Sequence, residues 1–126
     1  MLQLQDIQDR LNQESRERQG AEQALQASES RLRRIFDYSN DAIFVINPKQ
    51  DRILEANPKA AAMLGYSREE LLESVRVSSI HPDEMEQLKA FGEQILAQGH
   101  GWTNELTCLT KSGHKLPAEI SSSVIP

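Results

Sequence analysis

From Leu4 onward, apolar residues recur at alternating spacings of three and four. Leu4, Leu11, Leu25 and Leu32 occupy one heptad position, and Ile7, Ala21 and Ile35 the other. This predicts one amphipathic helix over residues 1–36 whose stripe is laid out as the seam of a parallel coiled coil. The seam is weak in the middle, because Glu14, Arg18 and Ser28 take apolar places in it and Gly20 lowers helix propensity. A lone helix this polar has little reason to persist in water, so a partner helix is expected. The plainer alternative is a solvated leader helix whose last turns pack on its own domain.

After residue 41 the period changes. Residues 42–46 are a β-branched and aromatic run ended by Asn47-Pro48, and residues 52–56 form a second run after the polar turn Lys49-Gln50-Asp51; the two read as a hairpin. Asn57-Pro58 fits a helix N-cap followed by proline at the first helical position, and Gly65 fits the left-handed residue that closes a helix over residues 59–64. Ser67 and Glu70 have capping-box spacing, so a second helix starts there. Residues 83–97 read as a longer helix with Met85, Leu88, Phe91, Ile95 and Leu96 largely on one face, closed by Gly99 and Gly101. Two alternating runs follow around the turn Ser112-Gly113. The first puts Trp102, Leu106 and Cys108 on one parity, and the second puts Leu116, Ala118, Ile120 and Val124 on one face.

Several of these pieces carry a family likeness. The apolar strand at residues 43–46, Asn57, the small residues 60–62, Gly65-Tyr66-Ser67 and Glu69-Glu70-Leu71 stand in the order found in PAS sensor domains. Ile80-His81-Pro82-Asp83 and residues 111–119, Lys-Ser-Gly-His-Lys-Leu-Pro-Ala-Glu, continue the resemblance, which covers roughly residues 30–126. It implies an α+β fold with a PAS-like antiparallel sheet and helices on one face, preceded by a long N-terminal helix. The expected organisation is a coiled-coil helix over residues 1–36 and a PAS domain over residues 37–126, and residues 28–37 resemble the linker that enters such domains. In one respect the chain departs from the family. PAS sheets place a fifth strand between the first and fourth, and here the final central strand is missing. Either the chain is cut before that strand, or a segment from a partner or from the N-terminal arm fills the slot. Met1 is either a native start or the result of such a cut. The first and fourth strands are therefore not expected to pair directly, and the strand from Leu116 onward is expected to pack in a non-standard way.

Charge and cysteine content narrow the functional classes. The chain of 126 residues carries a net charge of -5, and residues 1–36 balance six Lys/Arg against six Asp/Glu, so the whole negative excess lies in residues 37–126. That argues against nucleic acid or an anionic membrane surface as a partner. One cysteine allows no intrachain disulfide and no multi-cysteine metal site. No apolar run reaches the roughly 20 residues that span a bilayer, and the N-terminus is too polar for a signal peptide, so a cytoplasmic location is expected.

No arrangement of residues nominates a reaction. Phosphate loops, nucleophile elbows, paired-histidine zinc motifs and kinase signatures are lacking, and Glu69-Glu70 and Asp83-Glu84 sit at helix starts, where they complement the dipole. His81, His100 and His114 are scattered, so no metal is expected, and loop histidines are read as solvated. The resemblance disfavours two cofactors. Haem-binding relatives use a histidine in the long helix, and residues 83–98 contain none; photoreactive flavin-binding relatives use a cysteine early in the helical region, and none precedes Cys108. Cys108 itself reads as a small buried hydrophobe. A ligand pocket, if the domain has one, should lie between sheet and helices and draw on Phe44, Ile46, Asn57, Met63, Leu72, Ile80, Phe91, Trp102 and Leu106. These residues equally suit a filled core, and Asn57 a simple cap. The implied function is the sensory and dimerisation module of a signal-transduction protein, a sensor histidine kinase of a two-component system, not itself an enzyme. Its homodimer would form through Leu4, Ile7, Leu11, Leu25, Leu32 and Ile35. The alternative is a ligand-free relay module of a diguanylate cyclase or a transcription activator.

Overall fold

The computed structural model describes residues 4–125; Met1 and Pro126, on which the reading of the chain's start and stop bears, lie outside them. The heptad-patterned segment is one uninterrupted helix, α1 (Leu4–Asp37), none of whose residues is buried. Gly20 lies within it in open space, so its cost is one of propensity alone. The chain divides into two units, Met1–Tyr38 and Ser39–Pro126.

The second unit opens on an antiparallel hairpin of β1 (Phe44–Asn47) and β2 (Arg52–Ala56), with an irregularity in register after Val45. Its turn needs the left-handed Asp51, at φ 54°. α2 (Pro58–Leu64) begins at the Asn57 cap, whose side chain accepts from the Ala60 amide, and ends at Gly65, at φ 79°. α3 (Arg68–Glu73) carries the full capping box. Ser67 Oγ accepts from the Glu70 amide at 3.1 Å and the Glu70 carboxylate accepts from the Ser67 amide at 3.0 Å. The short α4 (Val77–Ile80) takes a cap from outside itself, since the Asp51 carboxylate accepts from the Ser78 amide at 2.9 Å and from the Ser78 hydroxyl. The hairpin turn thereby fixes where α4 begins.

These elements bury one apolar cluster. Ile53, Ala56, Ala60, Leu64, Leu71, Val77, Ile80 and Cys108 form its centre, with Phe44, Met63, Leu72 and Ala118 packed against it. Leu64 and Leu71 are wholly enclosed, each contributing roughly 1.5–3 kcal/mol of burial. α5 (Met85–Gln98) then runs to the left-handed Gly99, starting two residues later and ending one residue later than its apolar pattern alone marks. It packs on the strand that follows.

β3 (His100–Leu109) and β4 (Lys115–Ser123) form the second antiparallel pair. Thr103 faces Ile120 and Leu106 faces Ala118, so β3 carries one extra residue between them. Such a bulge reverses the facing of all that precedes it. Gly101 therefore shares the inner side with Leu106 and Cys108, while Trp102 is 50% exposed. The expected common parity of Trp102, Leu106 and Cys108 is thus corrected: the alternation is broken inside the strand. Gly101 is not a helix terminator either. A Cβ there would stand 3.1 Å from both Phe91 Cε1 and Ile95 Cγ1, so glycine lets α5 lie directly on the strand.

The strands stay in two separate pairs, β1–β2 and β3–β4, and β1 does not pair with β4. The first and fourth strands remain apart, as anticipated. The phase of the second pair follows from the Thr110 amide donating to the His114 carbonyl at 2.8 Å. Thr107 and Leu109 of β3 consequently turn their backbone groups away from β4, and Lys115, Pro117 and Glu119 of β4 turn theirs away from β3. No helix among the described residues is long and apolar enough to cross a membrane.

Candidate functional site

The residues expected to line a pocket are divided among several places. Phe44, Met63 and Leu72 pack against the central cluster, of which Ile80 is a member. Phe91 and Leu106 are buried where α5 meets β3. Ile46 is 40% exposed and Trp102 lies at the surface, its Nε1 donating to Glu119 Oε1 at 2.9 Å. Asn57 is fully enclosed, and its amide is committed to backbone. Oδ1 accepts from Ala60 and from Ile43, both at 2.9 Å, and Nδ2 donates to the Asp41 carbonyl at 2.9 Å. It joins the start of β1 to the start of α2.

A cleft of about 470 Å³ does exist, at the C-terminal end of α2 beside the β3–β4 turn. It is lined by Met63, Gly65 and Leu116 and by the polar residues Thr110, Lys111, Ser112 and His114. Of the expected pocket residues only Met63 borders it. Its polar groups are already engaged. The Lys111 amide donates to the Leu64 carbonyl at 2.8 Å and its ammonium to Glu70 Oε2 at 2.8 Å, while His114 Nδ1 meets Ser112 Oγ at 2.9 Å. The Lys111 ammonium, followed by the Ser67 amide, holds the Glu70 carboxyl below its ordinary range. Among the described residues no group of three or more His, Cys, Asp or Glu could hold a metal ion.

A second cluster escaped the sequence reading. His81 is buried, not solvated, and its Nδ1 stands 2.6 Å from the Thr107 carbonyl; since a carbonyl only accepts, Nδ1 carries the proton of that bond. The Glu84 carboxylate accepts from the Thr107 amide at 3.0 and 3.1 Å and from the Thr107 hydroxyl at 2.7 Å. Both outward backbone groups of Thr107 are thus held from the segment that joins α4 to α5. The Thr107 hydroxyl, against the opposing effect of burial, keeps the Glu84 carboxyl below its usual range. Burial, and then the Glu84 charge, pushes the neighbouring Cys108 thiol up, so it stays protonated near neutrality. Only the sequence motif His-Pro-Asp-Glu signalled this cluster, because Thr107 lies more than 20 residues away.

Comparisons with known proteins agree with this architecture. The PAS fold, as a family, matches residues 30–125. The chain is 32% identical over 113 residues to the methyl sulfide methyltransferase-associated sensor of Methanosarcina acetivorans, covering 83% of this chain and 10% of that protein. It is 33% identical over 105 residues to sporulation kinase E of Bacillus subtilis, covering 83% and 14% respectively. The chain thus spans about a tenth of the length of these relatives. Among solved structures, a domain of a sensory box sensor histidine kinase/response regulator from Geobacter sulfurreducens superposes with a TM-score of 0.67 at 23% identity, over 81% of this chain and 88% of that one. The PAS domain of a Colwellia psychrerythraea protein gives 0.61 at 28% identity, over 68% and 72%. With hairpin, capped helices, long helix and second hairpin in family order, and the family match spanning both hairpins, the chain belongs to the PAS domain family.

Proposed function

We propose that this chain is the cytoplasmic sensory and dimerisation module of a sensor histidine kinase, without catalytic activity of its own, and that it works as a homodimer through α1. The observation that carries the reading is the seam of α1. Leu4, Ile7, Leu11, Leu25, Leu32 and Ile35 are 44–80% exposed along one uninterrupted helix, a stripe that a second helix would cover. Two of the relatives named above are called a sensor and a kinase, which supports the assignment of the parent protein. A change in packing or ligand occupancy in the second unit would shift the balance between two dimer states.

Within this reading the closed core favours a ligand-free relay over a small-molecule sensor. Ala60, Leu64 and Leu71 have no exposed surface, and Asn57 has no polar atom to spare for a ligand among the bonds described. Sedimentation equilibrium on the chain should give a dimer, and Leu25→Glu should give a monomer with its domain still folded. Native mass spectrometry then separates relay from sensor: apoprotein mass supports the relay, and retained extra mass supports a bound ligand. A monomer at every concentration would refute the homodimer.

A further inference from the structure

We propose that two copies of α1 pair in parallel and in register, and that Arg18 sets the register by inserting between Glu14 and Glu17 of the second copy. The inference rests on the homodimer proposed above and asks which of its possible alignments the sequence selects. Glu14 and Arg18 lie one helical turn apart on the exposed seam, at a spacing that permits an ion pair within one helix. Among the described residues of the chain neither has an ion-pair partner. The Glu17 carboxylate is held beside them by the Gln13 amide at 3.4 Å. Because the helix runs unbroken through Gly20, the heptad phase is preserved from Leu4 to Ile35.

In a parallel pair each seam side chain enters a hole formed by four residues of the facing helix. In register, the hole for Arg18 is made by Glu14, Glu17, Arg18 and Ala21 of the second copy. The two carboxylates receive the guanidinium, and the small Ala21 leaves it room. A slip of one heptad removes this match. One Arg18 then enters Ala21, Ala24, Leu25 and Ser28, with no carboxylate, and the other enters Ile7, Arg10, Leu11 and Glu14, where Arg10 offsets the single carboxylate. Antiparallel pairing can set Glu14 against Arg18 only by placing Leu4 opposite Ser28 and Leu11 opposite Ala21, whereas parallel pairing in register sets each of these leucines against its own copy. Burying those apolar side chains outweighs a solvent-flanked ion pair, so the parallel alignment wins. The polar residues that weaken the seam are therefore also what identifies its alignment.

The test uses charge reversal by mixing. Arg18→Glu alone, and a second chain carrying both Glu14→Arg and Glu17→Arg, should each dimerise at least about tenfold more weakly than the parent. An equimolar mixture should restore a heterodimer, because each chain then presents the charges that the other lacks. All these positions are exposed, and circular dichroism confirms that each variant folds. Alignment is read separately in a Cys108→Ser background. Leu25→Cys should oxidise to a disulfide-linked homodimer, and Ile7→Cys should not cross-link to Leu25→Cys. Unchanged dimer affinity of Arg18→Glu, or cross-linking of Ile7→Cys to Leu25→Cys, overturns this proposal while leaving the homodimer intact. A monomeric parent chain overturns the homodimer itself.

Discussion

Asn57 is written into the sequence as a helix cap, yet the bond to Ala60 is one of several that its side chain makes. The cap was legible because donor and acceptor lie within one turn and Pro58 marks the helix start. The bonds to Ile43 and Asp41, 14 and 16 residues away, were not, since no local pattern specifies a partner brought in by the fold. His81 and Glu84 repeat the lesson more strongly. A histidine in a turn carries no local sign of burial, and its environment is created by a strand 26 residues later. Glu84 also makes the pH dependence of the domain testable. Its carboxyl pKa is lowered in the folded state, so its stabilising contribution is complete above the ordinary carboxylate range and is lost as pH falls through the folded value. Replacing it with glutamine should cost about 1 kcal/mol near neutrality, after solvent screening. Urea unfolding from pH 7 downward should show parent and Glu84→Gln converging in acid. Parallel curves would show that the Thr107 contacts contribute nothing that depends on charge.

Among the elements, both hairpins and every helix but the short α4 could be read from period and punctuation, whereas α4, capped from Asp51, and the facing of β3 could not. A bulge leaves the alternation of residue types intact in the sequence while reversing it in space, and only the partner strand reveals the extra residue. The role of Gly101 was hidden for the same reason, since its neighbours belong to α5. Two glycine substitutions distinguish close packing from backbone effects. Gly101→Ala forces Phe91 or Ile95 to move and should lower stability by about 1–3 kcal/mol. Gly92→Ala, inside α5 with nothing within 4 Å of the new methyl group, should be neutral or stabilising by up to about 1 kcal/mol. Equal effects in chemical denaturation would rule out the tight helix-on-strand contact.

At the scale of the whole molecule the order of elements and the family were legible, because they are carried by many short motifs in sequence. The distribution of the expected pocket residues was not, because apolar side chains suit a filled core and a cavity equally well. The division into two units has a thermodynamic corollary. α1 has no buried residue of its own, so its helicity should depend on chain concentration through association, while the unfolding of the second unit should not. Thermal circular dichroism over a hundredfold range of concentration should therefore show one transition that moves and one that stays. A single transition independent of concentration would contradict both the homodimer and the autonomy of the units.

The fastening at Thr107 gives the second sheet a direction. On the β3 side, the carbonyl and amide of Thr107 are already occupied by His81 and Glu84, so a newcomer could bond there only by displacing them. On the β4 side, nothing among the described residues pairs with the outward groups, but Pro117 offers a carbonyl and no amide. As a template the sheet is one-sided: it can be extended alongside β4, and a strand arriving there must accept one carbonyl left without a donor opposite Pro117.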